Sequence, residues 1–433
     1  MIHVIIVGAG FAGMNLAKKL NNKPAYKVTL IDRFNFHQFQ PLFYQVATAG
    51  LDASNISFPL RKIFQRSANV NVVLATVQEV LPLQKTIITD AGTYSYDYLV
   101  IASGCSTNFF GNEQLKTFAY PMKSTVEALN IRHNIVENLE LASRISDAEE
   151  RQRLLNIVIV GAGPTGVELS GTLAEMKKNI LPKDFPEIDF GKMNIYLLES
   201  GKETLPTMSA KSQVRSRQYL RDLGVHVCTQ TVVSGYDGEK VQLSSGGIIN
   251  TAFVIWAAGV RANTPEGIPL EIRARGNRII VDRFNRVNGL QDIFAIGDVA
   301  YMESPNYPQG QPQVCNVALK HASLLAYNFE QWRTGNRKEK EFEYKDPGTM
   351  ATIGRNRAVV DNFPINGIHF AGFAAWVSWM GFHLLQLIGV KNRIQVFINW
   401  VYHYFTYDQN LRLIFKNSYQ PKRRKKTPET SGV

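Results

Sequence analysis

One motif occurs twice in this chain. VIIVGAGFAGMNLAKKL at residues 4–20 returns, offset by 153 positions, as IVIVGAGPTGVELSGTL at residues 157–173. Each copy reads as a β-branched strand, a glycine turn and an amphipathic helix, the front half of a βαβ unit. Each is followed by a second strand ending in a carboxylate: KVTLID closes on Asp32 and NIYLLE on Glu199. Such glycines let backbone approach a pyrophosphate, which rests on the helix N-terminal N–H groups while the acid accepts ribose hydroxyls. The chain must therefore fold at least two dinucleotide-binding α/β units, one on Gly8, Gly10 and Gly13, the other on Gly161, Gly163 and Gly166. The spacing from Gly161 to Glu199 is long because KKNILPKDFPEIDFG is inserted, which makes Glu199 the weaker match of the two acids. No arginine directly follows Glu199, and a carboxylate there repels a 2′-phosphate, so NADH is favoured. Lys202 and Arg215 are close enough in sequence to leave NADPH open.

Two further runs pair up: YDYLVIASG (96–104) and TAFVIWAAG (251–259). They end in Ser103-Gly104 and Ala258-Gly259, small residues that let chain pass beneath a bound nucleotide. GLQDIFAIGDVA (289–300) is then a strand followed by Gly297 and Asp298. It resembles the flavoprotein motif whose aspartate meets the ribityl chain of FAD, so the chain is expected to return to its first unit after completing the second. The expected domains are 1–120 and 269–345 for FAD, 121–268 for NADH, and 346–433 as a C-terminal membrane-anchoring region with a basic tail. A length of 433 residues, 45% of them hydrophobic, is ample for these cores.

The FAD fingerprint, inserted NAD fingerprint and GD motif together resemble the two-dinucleotide-binding flavoproteins. Disulfide reductases of that superfamily carry a cysteine pair just after the first ribose acid. This chain has three cysteines, Cys105, Cys228 and Cys315, in no CxxC or CxxxxC spacing, which argues against a dithiol centre and a metal site. Where the pair would stand is FHQFQPLFYQVATAG (36–50), aromatics and amides suited to a flat, weakly polar ring. With FQPLFYQVATAGL, GVELSG (166–171), SGKETLPTMS (200–209), VIWAAGVRAN (254–263), MATIGRNRAVVD (350–361) and FTYDQNLRLIF (405–415), the chain is similar to type II NADH:quinone oxidoreductases over nearly its whole length.

That resemblance implies two Rossmann-like units, the NAD unit inserted in the FAD unit, with FAD as cofactor, NADH as substrate, quinone as acceptor and no proton pumping. For FAD it implies Gly8, Gly10, Phe11, Ala12, Gly13, Asp32, Arg33, Gln45, Val77, Ser103, Gly104 and Asp298; for NADH, Gly161, Gly163, Pro164, Thr165, Gly166, Glu168, Glu199, Ala258 and Gly259. Residues 36–50 would form one wall of a membrane-facing quinone pocket, opposite Asn316 to Lys320, with flavin between that pocket and NADH. Gln45, Cys315, Asn316 and Lys320 are its expected contacts. Relatives show a pattern resembling Ala-Gln-x-Ala-x-Gln where this chain has Cys315-Asn316-Val317-Ala318-Leu319-Lys320, so both glutamines are replaced. Lys320 reads either as a catalytic cation for the reduced flavin or quinol oxyanion or as a solvent-facing lysine. The aromatic stretch reads either as that wall or as core packing.

Glu168 stands where the first repeat has Asn15. It is either a catalytic carboxylate that orients nicotinamide or relays a proton, or an acid suited to the helix dipole. IHFAGFAAWVSWMGFHLLQLIGV (368–390) has no charged side chain, but its Gly, Ser, Gln and His residues dilute it as a membrane span. After it, Ile394, Phe397, Ile398, Val401 and Phe405 fall on one helical face, the pattern of a helix lying in a membrane interface. Trp376, Trp379, Trp400 and tyrosines 402, 404 and 407 suit an interface belt. Of the net charge of +12, a surplus of seven lies in residues 370–433, with KRRKK (422–426) at its tip, which attracts anionic lipid at about 1 kcal/mol per charge. The chain begins on a strand and is expected to stay in the compartment of synthesis, on the cytoplasmic face of a bacterial inner membrane and as a homodimer. Nucleic acid is not an expected partner, because basic residues are not interleaved along a groove. A soluble NAD(P)H-dependent reductase with a protein or small-molecule acceptor, and a redox-sensing flavoprotein, stand as alternatives.

Overall fold

A computed structural model of the chain describes residues 1–336, 338–363 and 367–414. Two five-stranded parallel sheets are its frame. Across the first, the strands are Ile293–Ala295, Tyr98–Ile101, Ile2–Val7, Tyr26–Asp32 and Val70–Leu74. Across the second they are Tyr120–Pro121, Phe253–Trp256, Asn156–Val160, Asn194–Leu198 and His226–Cys228. The last four strands follow the same order in both, while the edge strand named first comes last in the chain in the first sheet and first in the second, and every neighbour is parallel. Ile5, Ile6, Val158 and Ile159 have no exposed surface, because each parallel sheet is covered mainly by helices on one face and by a small antiparallel sheet on the other. That small sheet is Val77–Leu81, Thr86–Thr89 and Gly92–Ser95 in the first unit and Val233–Tyr236, Lys240–Leu243 and Ile248–Asn250 in the second. That two-sided burial is why these strands are unbroken apolar runs rather than alternating ones. Strand Ile293–Ala295 joins the first sheet only after the second is closed, so the NAD unit is inserted in the FAD unit.

The third unit begins with an antiparallel sheet of Thr349–Thr352, Ala358–Asp361 and His369–Ala371. Helices Phe373–Gln386 and Val390–Thr406 follow. Among the described residues no helix is long and apolar enough to cross a membrane. On the second helix Asn392, Val396 and Trp400 face inward, while Phe397, Ile398 and Phe405 are 53%, 57% and 77% exposed. The stripe read from the sequence is thus the outward one, an apolar surface left uncovered by this chain. KRRKK lies outside the described residues.

The aromatic stretch behaves differently from a free pocket wall. Phe39, Phe43 and Tyr44 are buried in one core with Ile131, Val167, Trp379 and Trp400, which joins the NAD unit to the C-terminal helices. Phe39 meets Phe11 and His383 edge-on, and Tyr44 meets Trp379. Most of its rings are therefore core, and what stands across from Tyr44 is the C-terminal helix pair, not Asn316 to Lys320.

Candidate active site

The two glycine turns are built alike. Gly8 and Gly161 have φ of +101° and +102°, a region that side chains resist. A Cβ on Gly8 would stand 2.4 Å from the Ala102 oxygen, and one on Gly161 2.9 Å from the Ala257 carbonyl carbon. Each turn is held from the side by its strand-end acid. Asp32 accepts from the Ala9 N–H at 2.6 Å and the Phe34 N–H at 2.7 Å. Glu199 accepts from the Ala162 N–H and the Gly201 N–H, both at 2.7 Å. The insertion before Glu199 therefore shifts nothing: the pairs Val7/Ile31 and Val160/Leu198 set both acids in the same register.

Gly8, Gly10, Asp32, Arg33, Val77, Ser103 and Gly104 line one cleft of about 410 Å³. No atom lies within 4 Å of where a Cβ on Gly10 would stand, so the turn presents bare backbone to open space. That opening, set at a helix N-terminus between small residues and a strand-end carboxylate, fits a dinucleotide such as FAD. Five expected contacts lie elsewhere, Asp298 among them. Gly13 packs under Gly8, where a Cβ would stand 1.9 Å from the Gly8 oxygen, and Ala12 packs on Gly297. Phe11 turns its ring to His37 and Phe39. Gln45 accepts from the Trp400 indole at 2.7 Å and donates to the Tyr44 hydroxyl at 2.8 Å, so its amide is a strut to the C-terminal helix. Gln38 and Gln40 are the glutamines of the stretch that reach the cleft.

Asp298 accepts from the Cys105 thiol at 3.1 Å, behind the cleft wall. The turn before it is set by His321, which accepts the Gly297 N–H at 3.2 Å and is pushed down to about 3 by burial, hence neutral. Burial, with the Asp298 charge second, pushes the Cys105 and Cys315 thiols up to about 12. Both stay protonated at neutral pH, which removes them as nucleophiles.

Glu168 opens onto a small chamber of about 50 Å³ with Thr165, Gln40, Pro41, Tyr44 and Lys123. Its carboxyl is buried, and burial pushes its pKa up to about 8. The Thr352 N–H at 3.5 Å opposes that rise, as does the Trp379 indole, which faces the carboxyl without closing a hydrogen bond of regular geometry. Glu168 is thus protonated at pH 7 and available as a proton donor. Gln40 and Lys123 line both this chamber and the cofactor cleft. The sequence reading passed over Lys123. Its signal was the capping box that follows: Ser124 accepts the Glu127 N–H, and Glu127 reaches back to the Lys123 N–H at 2.6 Å, fixing the lysine at a helix mouth.

Lys320 is turned away from the cleft. Its amine donates to the Lys345 carbonyl at 2.6 Å and lies over the Tyr344 ring, because residues 342–345 offer a carbonyl and an aromatic face where the helix side is otherwise apolar. Cys315 and Asn316 form the first turn of helix Cys315–Arg333, half-buried near Asp298. On the NAD side, Pro164 opens its helix at the first position, Thr165 reaches the Glu168 chamber, and Gly166 packs under Gly161. The backbone at Gly259 lies under the Phe110 ring, and the Ala258 carbonyl accepts from the Trp256 indole.

Comparison with known proteins agrees with this geometry. Residues 2–322 match the family Pyridine nucleotide-disulphide oxidoreductase, and residues 347–406 match the NDH2 C-terminal domain. The chain is 37% identical over 92% of its length to a type II NADH:quinone oxidoreductase of Mycobacterium tuberculosis, covering 87% of that protein. It is 28% identical over 84% of its length to a Staphylococcus aureus protein of the same description, covering 91% of it. The fold superposes on NDH2 of Plasmodium falciparum, solved with NADH, at a TM-score of 0.86 with 21% identity, covering 96% of this chain and all of that one.

Proposed function

The chain belongs to the type II NADH:quinone oxidoreductases, and from that membership we propose that Glu168 handles the proton of its reaction. The enzyme is an FAD-dependent oxidoreductase that passes two electrons from NADH to a quinone and pumps no protons. FAD, when bound, supplies the two-electron relay between nicotinamide and quinone. Gly8, Gly10, Asp32, Arg33, Val77, Ser103 and Gly104 would hold it, with Asp298 on the ribityl side. Gly161, Gly163, Pro164, Thr165, Gly166, Glu199, Ala258 and Gly259 would bind NADH. Lys123, between the cleft and the chamber, places a cation where negative charge builds during reduction. The division proposed is 1–120 with 269–345 for FAD, 121–268 for NADH and 346–433 for the C-terminal unit, its first boundary falling within strand Tyr120–Pro121 of the second sheet.

Quinone is drawn from the bilayer along the C-terminal helices and meets the cofactor from the side of Gln40, Pro41 and the helix start at Cys315 and Asn316. The family is membrane-associated, and the outward apolar stripe of Val390–Thr406 supports an anionic membrane surface as its partner. The protein works as a homodimer on the cytoplasmic face of a bacterial membrane. The observation that carries the proton role is the shared wall: Gln40 and Lys123 border both the cofactor cleft and the chamber of a neutral, buried Glu168. The test is rapid-mixing kinetics of the FAD-loaded Glu168→Gln enzyme. Flavin should stay bound and bleach with NADH, while reoxidation by quinone slows on the order of 10²-fold; unchanged reoxidation removes Glu168 from the reaction.

A further inference from the structure

NADH and a quinone become NAD⁺ and a quinol only when one proton is added from water: NADH + H⁺ + quinone gives NAD⁺ + quinol. Glu168 is buried beneath Trp379 of the C-terminal unit, so that proton needs a path through protein. Along the same face of helix Pro164–Asn179, four and seven residues on, stand Thr172 and Glu175. A cavity of about 70 Å³ borders both, together with Tyr44, Thr352, His403 and Gln409. It has room for about two waters at roughly 30 Å³ each. Among the described residues, Gln409 Oε1 and Arg355 Nη1, from two residues on its wall, are buried without a protein partner, a demand that enclosed water meets.

Tyr44 joins this cavity to the Glu168 chamber, since it lines both. Its hydroxyl lies in the field of both Glu168 and Glu175 and accepts from Gln45 at 2.8 Å, which leaves its own proton available to cavity water. Glu175 is fixed by the Arg355 N–H. Burial pushes its carboxyl above the usual range, against Arg355 and Arg357. The other titratable groups on the wall are His403, whose ring is held by the Asp408 carbonyl, and Arg355 and Tyr404, the guanidinium of the one lying over the ring of the other.

We propose that Glu175 takes a proton from solvent at the His403 and Gln409 end and passes it, through cavity water and the Tyr44 hydroxyl, to Glu168. In each transfer an O–H bond breaks on the donor as one forms on the acceptor, so Tyr44 and Glu175 end each turnover as they began. The relay rests on the reading of Glu168 as proton donor.

The test uses the FAD-loaded full chain carrying Glu175→Gln or Tyr44→Phe, with Glu168→Gln as reference and a water-soluble benzoquinone as acceptor. Bleaching of flavin by NADH should stay near the wild-type rate, while reoxidation by quinone slows about tenfold or more at alkaline pH and recovers toward acid pH. Small weak acids such as formate should restore Glu175→Gln, Glu175→Asp should retain most of the rate, and the infrared carbonyl band of protonated Glu168 should reform more slowly after a pH jump. A merely structural role would give none of these. If Glu168→Gln slows reoxidation but Glu175→Gln and Tyr44→Phe match wild type at every pH, or weak acids restore nothing, the relay is overturned. If Glu168→Gln has no effect, the underlying reading fails first.

Discussion

Replacing Glu168 by glutamine should stabilise the protein, and by an amount that depends on pH. The carboxyl is held to about 8 in the folded chain against 4.5 as its ordinary value. Below pH 4.5 both states carry the proton and the residue contributes nothing. Between 4.5 and 8 the unfolded chain releases it while the folded chain keeps it, so stability falls as pH rises through that window. A displacement of that size costs about 5 kcal/mol by pH 8 at 1.36 kcal/mol for each pH unit. Glutamine has nearly the same shape, still accepts from Thr352, and does not titrate. For 433 residues, with an unfolding entropy of about 2 cal/mol/K per residue, 5 kcal/mol corresponds to about 6 °C in Tm. Thermal unfolding of FAD-loaded wild type and Glu168→Gln from pH 5 to 8.5 should show the variant gaining steadily, up to that limit. A difference constant across the range would show that Glu168 titrates normally, and its role as a neutral donor would fall.

Gly8→Ala drives a methyl into the Ala102 carbonyl and should release flavin on gel filtration. Gly161→Ala meets the Ala257 carbonyl and should keep flavin while raising KM for NADH about tenfold or more, the equivalent of ~1.4 kcal/mol of misfit. Phe397→Glu with Ile398→Glu removes two exposed apolar side chains, each worth about 1.5 to 3 kcal/mol when buried. Vesicle flotation should be lost while reduction of a soluble dye continues; retained flotation would place the membrane contact elsewhere. Lys320→Met should leave turnover within about twofold, because its amine sits on Lys345 and Tyr344, and a large loss would return Lys320 to the site.

The frame was legible because its signals are local. A β-branched run, a glycine that must take positive φ and an acid at the end of the next strand each follow from backbone sterics within a few residues; the repeat of all three showed two units, and the strand before Gly297 and Asp298 showed the insertion. The stripe Ile394, Phe397, Ile398, Val401 and Phe405 was legible for the same reason, since a helix converts spacing directly into a face. What escaped was every feature decided by a partner distant in sequence. Nothing near Lys320 in the chain announces the Lys345 carbonyl. Nothing near Gln45 announces Trp400, 355 residues away. The stretch 36–50 looked like a ring-binding wall because aromatics serve equally as platform and as core, and only the arrival of Trp379 and Trp400 decides for core. Lys123 was hidden by the reverse effect: a lysine before a capping box is ordinary until two cavities are seen to meet at it.

We propose that electrons entering from NADH leave by transfer to a quinone reached from the bilayer side. The most direct measurement is NADH oxidation by the purified FAD-loaded enzyme in anionic vesicles containing a long-chain benzoquinone or naphthoquinone, followed together with quinol formation. One quinol per NADH, at a rate that collapses when the quinone is left out of the vesicles, is the expected result. Brisk dye reduction beside no quinol from either quinone would contradict it.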